Sequence, residues 1–358
     1  MEHSLNRSQI LCVGLVLLLA MTTLSAQETE PLKFYGDLRL RFEKDYRVTG
    51  KETRDRARYR FRFGLTHKRG DNVELGARLA TGNPTDQQSP HQNFGDDFGA
   101  KSVNIDKMYF KYSFNSAWFW IGKNSFPFWK QNEMFWDDDV TPEGLAGAYV
   151  VKGFAGPESR LTFTGGQFVI DDFNDLFGSS MTAGQVALNK KTSAVNFSAG
   201  VGLYYFNNST GDTASYNPLN NMDHNILVAS AQFKFNMGKV PVTIGGDFMK
   251  NLEDPNLTGL EDETNGFVAQ LLLNPGKWTA GVYYVHIEKF AVVANFAQDD
   301  WWRFGSGHTN SSDLEGFELR LAYDLGNRMN LVARHYVTEM IVGNNEANRF
   351  RLDFNIKY

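Results

Sequence analysis

The chain is almost without cysteine: Cys12 is the only one in 358 residues. Disulfides are therefore excluded, and the fold must hold through packing and backbone pairing alone. Charge of one sign is scarce as well. Lys and Arg number 36 against 41 Asp and Glu, a net of −5, a balance that does not suggest a nucleic-acid partner. Long apolar runs are lacking after residue 26. None approaches the roughly 20 residues of a membrane-crossing helix, and mean hydropathy is −0.38.

The exception is the N-terminus. Arg7 precedes an apolar stretch from Ile10 to Met21, and Leu24-Ser25-Ala26 offers a small-residue cleavage site. This pattern predicts a secretory signal peptide over 1–26 and a mature chain of 27–358. Cys12 lies inside the apolar stretch, so the mature chain has no cysteine. Glu2 and Arg7 cancel, so its net charge stays at −5.

What the mature chain does have is aromatics, 14% of residues, and period-two alternation. At the C-terminus Phe350, Leu352, Phe354, Ile356 and Tyr358 alternate with Arg349, Arg351, Asp353, Asn355 and Lys357. Near the start Gly36, Leu38, Leu40 and Phe42 alternate with Asp37, Arg39, Arg41 and Glu43. Tyr59, Phe61, Phe63 and Leu65 alternate with Arg58, Arg60, Arg62 and Gly64, and Arg78 belongs to the polar face of the next such segment. Strict alternation predicts strands with a different solvent on each face. In a membrane barrel one face meets hydrocarbon and the other a wet lumen.

Twelve further strands are predicted near 104–114, 117–124, 144–154, 159–170, 181–188, 193–206, 225–235, 241–251, 264–274, 278–287, 314–324 and 329–339, sixteen in all. Merging or missing a hairpin would make it fourteen or eighteen. The connections alternate short and long. Asn115-Ser116 and Asn274-Pro275-Gly276-Lys277 carry turn chemistry, whereas 82–103, 125–143 and 288–313 are long. Short turns at one rim, long loops at the other and an even strand count predict one all-β domain, an antiparallel up-and-down transmembrane barrel of the bacterial outer membrane. Tyr35, Tyr112, Tyr205, Tyr283 and Tyr323, near strand ends, fit aromatic girdles at the two membrane interfaces.

The third long loop carries a more specific signature. Gly122-Lys123, then Pro127-Phe128-Trp129, then Trp136-Asp137-Asp138-Asp139-Val140-Thr141-Pro142-Glu143-Gly144 resemble the bacterial putative-porin family. The resemblance implies a passive channel for small hydrophilic solutes, with the third loop folded into the barrel. Sixteen-stranded porins also make a homotrimer an expectation. The aromatic C-terminal strand resembles the segment that the envelope's barrel-assembly machinery reads.

Independent of that resemblance, Asp137, Asp138, Asp139 and Glu143 would be costly to bury dry. They suit a wet lumen, with Trp136 and its neighbouring aromatics wedged on the wall. A surface loop holding Ca²⁺ through Asp137 to Asp139 is the alternative. Closing the barrel puts Arg349 and Arg351 beside Arg39 and Arg41, then Arg58, Arg60 and Arg62, then Arg78, with Arg320 and Arg334 extending the wall. Facing acids would create a transverse field that filters charge. A salt-bridged ladder with Asp37, Glu43, Glu74 and Asp353 that fills and rigidifies the lumen is the competing reading, and both can coexist. A selective channel for anions or acidic sugars, or a polysaccharide exporter, remains open. No cofactor is expected. An enzyme is disfavoured, since the histidines are scattered and no Gly-x-Ser-x-Gly elbow occurs. Trp301 and Trp302 in the seventh long loop receive no role.

Overall fold

Alternation becomes pairing in the computed structural model, which describes residues 32–95, 97–171, 178–208, 223–255, 259, 262–304 and 311–358. The expected leader lies outside the described residues. The strands are β1 (Lys33–Tyr46), β2 (Arg54–Arg69), β3 (Val73–Thr81), β4 (Gln92–Asn93), β5 (Val103–Phe114), β6 (Ala117–Lys123), β7 (Glu143–Lys152), β8 (Ser159–Asp171) and β9 (Ser179–Lys191). They continue with β10 (Val195–Asn207), β11 (His224–Met237), β12 (Val240–Asn251), β13 (Asn265–Leu273), β14 (Trp278–Ile287), β15 (Leu314–Gly326), β16 (Met329–Glu339) and β17 (Glu346–Lys357). All but β4 are staves of one closed antiparallel barrel. β4 is a two-residue strand in the second long loop that pairs with β2. Sixteen staves remain, and they fall on the sixteen segments the alternation predicts.

Closure is made by β1, which pairs with β2 on one side and β17 on the other. Among the described residues no stave is left with an open edge for lipid to meet, as an unpaired amide in hydrocarbon would cost several kcal/mol (on the order of a lost hydrogen bond or more). The last residue completes the seam. Gly36 and Tyr358 exchange backbone hydrogen bonds, and the Tyr358 hydroxyl donates to the Arg62 carbonyl at 2.8 Å. A side chain on Gly36 would meet that ring, because a Cβ there would lie 2.3 Å from the hydroxyl.

The burial pattern is that of a soluble protein inverted. Leu40, Phe42, Phe61, Val201, Leu203, Leu319 and Leu352 are exposed on the outer face, whereas Arg41, Glu43, Arg351 and Asp353 are at most 2% exposed on the inner one. Outward apolar residues meet lipid and need no protein partner. β5 departs from the rule through a bulge. Arg78 pairs with Lys107 and Leu79 with Ile105, so Asp106 is the extra residue. The bulge lets Asp106 turn onto Arg78, whose Nη2 donates to it at 2.6 Å.

Tyr112, Tyr205 and Tyr323 lie on the outer face with other aromatics. Tyr323 packs on Trp278 with ring centroids 4.6 Å apart. Tyr35 and Tyr283 depart from the girdle expectation, because both fall on the inward parity of their strands. Tyr35 lies over Gly64, and Tyr283 is buried under the Arg320 guanidinium, 4.5 Å from its ring centre.

Candidate functional site: the barrel lumen

The lumen wall follows from parity and register. On β1 and β2 the inward residues put Arg39 opposite Arg60 and Arg41 opposite Arg58, and on β16 and β17 Arg334 is opposite Arg351. Like charges directly opposed repel, so the wall needs anions. Acids on the same strands supply many. Arg41 Nε donates to Asp353 at 2.7 Å, Arg351 Nε to Glu43 at 2.6 Å and Arg349 Nε to Asp45 at 2.7 Å. Asp37 is shared by Arg60 and Arg62 at 2.8 and 2.7 Å. Arg320 pairs with Glu318 at 2.6 Å. The ladder expected from the sequence therefore exists, with Asp37, Glu43 and Asp353 in it. Glu74 instead accepts from the Tyr109 hydroxyl at 2.8 Å.

The third long loop, between β6 and β7, lies inside the barrel. Its aromatics wedge it against the far wall. Phe126, Phe128 and Phe135 surround Tyr204 of β10 at centroid distances of 5.9, 5.2 and 4.6 Å, and Phe128 also meets Phe168 of β8. This explains why Trp118 to Ile121 is apolar on both faces: Trp120, inward and buried, packs on Phe168. Polar anchors complete the seat. The Trp129 amide donates to Gln185 at 2.7 Å, and Gln131 donates to Asp247 at 2.9 Å.

The loop acids divide by place. Asp139 alone reaches the arginines, accepting from Arg60 at 3.2 Å and Arg62 at 2.6 Å. Asp138 pairs with Lys130 within the loop. Asp137 is buried and accepts from the Asp139 amide at 2.7 Å and the Asp299 amide at 3.2 Å. Burial raises its pKa, and Glu133 and Asp299 nearby push it further the same way. Glu143 opens β7 and pairs with Lys123 at 2.8 Å, away from the wall. Trp136 is buried, its indole N–H donating to the Val140 carbonyl, and it stacks on Phe126 and Phe296. Among the described residues no group of three or more His, Cys, Asp or Glu is arranged to hold a metal ion.

A second loop shares the lumen, and the sequence reading assigned it nothing. The seventh long loop, after β14, is buried through Ala291, Val292, Val293, Ala297, Trp301 and Trp302. It carries Asp300, which accepts from Arg334 and Arg351 and lies 3.8 Å from Arg41. Burial alone would raise the Asp300 pKa, but Arg351, Arg334 and Arg41 hold it well below the usual carboxylate range. Arg349 donates to the Asp300 and Trp301 carbonyls at 3.1 Å each. The second long loop braces it: Gln88 donates to the Ala294 and Ala297 carbonyls at 2.8 and 2.6 Å. The available signal was composition, since Ala291 to Phe296 is too apolar for a loop in open water.

Charged side chains line two of the remaining cavities. A cavity of about 200 Å³ separates the two loops, lined by Lys130, Glu133, Asp138, Asp300 and Arg320 among others. Near the chain ends a chamber of about 400 Å³ is lined by Asp37, Arg62, Arg78, Arg328 and Lys357.

Comparison with known proteins agrees with this geometry. A family model described as "Putative porin" matches residues 46–239, more than half of the chain. Two mutants of the Rhodopseudomonas blastica porin, 13% and 14% identical, cover 91% of this chain and 100% of their own, with TM-scores of 0.53 and 0.54. A loop-deletion form of OmpT, an outer membrane protein of Vibrio cholerae, is 13% identical. It covers 92% of this chain and 99% of its own, with a TM-score of 0.55. At these identities the likeness is one of fold. No curated protein matches the chain.

Proposed function

The chain belongs to the putative porin family and is a porin of the outer membrane, and we propose that it is a passive channel for small hydrophilic and charged solutes, narrowed by two loops against an arginine wall. The observation that carries this reading is the reach of Asp139 across the lumen to Arg60 and Arg62. A negative loop opposite a positive wall sets up a transverse field, which orients dipolar solutes and sorts ions by charge. Asp300 of the seventh loop adds a second negative group on the same wall.

Three further parts belong to the proposal. Residues 1–26 are a leader removed on export. The C-terminal strand, ending in Tyr358, is the segment read by the barrel-assembly machinery. The working assembly is a homotrimer. Family and fold point to a channel rather than an enzyme. Consistent with that, His335 faces outward and shares a hydrogen bond with Tyr46 at 2.8 Å.

The test is reconstitution in planar bilayers, with conductance and reversal potential measured in salt gradients. The protein is expected to give discrete conductance steps. Replacing Arg58, Arg60 and Arg62 together by Ser is expected to shift the reversal potential toward cation preference. Silent membranes would sink the channel reading. An unchanged reversal potential in the triple variant would sink the role of the wall.

A further inference from the structure

The arginine wall is not evenly neutralised. Opposite Arg41 on β17 stands Asp353, but opposite Arg39 stands Asn355. Arg39 Nε donates to the Asn355 side-chain oxygen at 2.7 Å, and Arg39 makes no ion pair with a carboxylate among the described residues. Among the described residues Arg58 has one carboxylate within 4 Å, Glu43 at 3.8 Å, and it donates to Ser89 at 3.2 Å. Two opposed pairs, Arg39 with Arg60 and Arg41 with Arg58, therefore crowd four guanidiniums where β1 and β2 meet.

Several buried nitrogens at this place lack a partner. Arg41 Nη1, Arg58 Nε and His91 Nε2 are buried with no hydrogen-bond partner among the described residues. Arg41 is 2% exposed and His91 8%. They are neighbours: Arg41 faces Arg58 in the ladder, and Ser89 lies between Arg58 and His91, 3.5 Å from His91 Nδ1. Orphaned buried donors are rare in native proteins and each calls for an explanation, an ion or a water being the usual one. Two orphaned guanidinium nitrogens beside a third unpartnered nitrogen call for an anion in particular, since guanidinium forks match carboxylate and phosphate oxygens.

We propose that Arg39, Arg41 and Arg58, with His91, form a binding site for a small oxyanion, the carboxylate or phosphate group of a permeating solute. The site rests on the channel reading and names the solute class for it. Burial, together with Arg41, Arg58 and Arg39 close by, holds His91 neutral. A neutral imidazole that accepts from Ser89 through Nδ1 carries its proton on Nε2 and can donate it. Asp300 shows the chemistry at work one step along the wall, where a carboxylate is gripped by Arg334 and Arg351.

Inorganic phosphate is the probe, measured by equilibrium dialysis against the purified protein in detergent. Saturable binding is expected, displaced by unlabelled phosphate or succinate and not by glucose. The double variant R39Q/R58Q should weaken it at least about tenfold, the loss expected when charge-assisted hydrogen bonds are removed. H91N should weaken it less. R160Q, exposed at the start of β8, should leave it unchanged. If R39Q/R58Q fails to fold, H91N carries the comparison. Absent saturation, displacement by glucose, or equal binding by the folded variants would overturn the site. Conductance of the same preparation separates the two readings. Current without saturable phosphate binding leaves a channel and removes the site. Binding without current keeps the site and removes the channel.

Discussion

At the scale of single residues, the lumen is a place where charges are buried but wet at the margin, and each acid has a different fate. Asp300 is ionised because three arginines surround it. For Glu133, a few residues before Asp137 in the third loop, Lys130 and Arg334 offset the opposing effects only in part. Burial raises its pKa, and Asp300 and Asp138 add to the effect, carrying it to about 8. The folded protein therefore holds a proton on Glu133 that an unfolded chain would release near its ordinary value. The stability this contributes is complete below the ordinary carboxylate range and is lost as pH rises through about 8. Above that, a new negative charge appears between the two loops. Channel selectivity is expected to move toward cations as pH rises through about 8. E133Q should abolish that step, and a titration of reversal potential on both proteins checks it.

At the scale of elements, strands obeyed the alternation and loops obeyed chemistry that strands do not show. The third loop is held by aromatics on one wall and by Asp139 on the other, so it crosses the lumen rather than lining it. Deleting residues 130–141 is expected to raise single-channel conductance. It should also free Arg60 and Arg62 of Asp139 and move selectivity toward anions. No rise in conductance would mean the constriction lies elsewhere, with the seventh loop the next candidate. Strand β10 offers a test of parity. Leu203 points outward and is exposed to lipid. L203R should destabilise the barrel by about 2–4 kcal/mol if it lies near the bilayer midplane, measured by urea unfolding in lipid vesicles.

At the scale of the whole molecule, closure is what makes the strands stable together, since every stave takes its backbone partners from two neighbours. The seam between β1 and β17 joins the most distant parts of the chain, and Tyr358 sits at its end. Y358A removes the hydrogen bond to the Arg62 carbonyl and the contact with Phe61. Folding into detergent micelles is expected to slow severalfold, while the finished barrel loses about 1 kcal/mol, the usual worth of one hydrogen bond. Electrophoretic mobility of unboiled samples over time follows both.

The strands and their inward faces were legible because a period of two needs no knowledge of neighbours: Leu352 and Arg351 are told apart by parity alone. Sequence by itself thus determined sixteen staves, alternating loop lengths and the arginine wall. The resemblance in the third loop pointed to the lumen before any contact was known. Tertiary structure decided the rest. Asp139 meets Arg60 and Arg62, while Asp138 and Glu143 turn to lysines, because a loop's partners depend on the wall it is wedged against. The bulge at Asp106 and the inward tyrosines Tyr35 and Tyr283 are local departures set by pairing. The seventh loop was missed because loops have no periodicity. Its place beside the arginines is fixed by a carboxylate, Asp300, and positive charges that lie far apart along the chain and meet only when the barrel has closed.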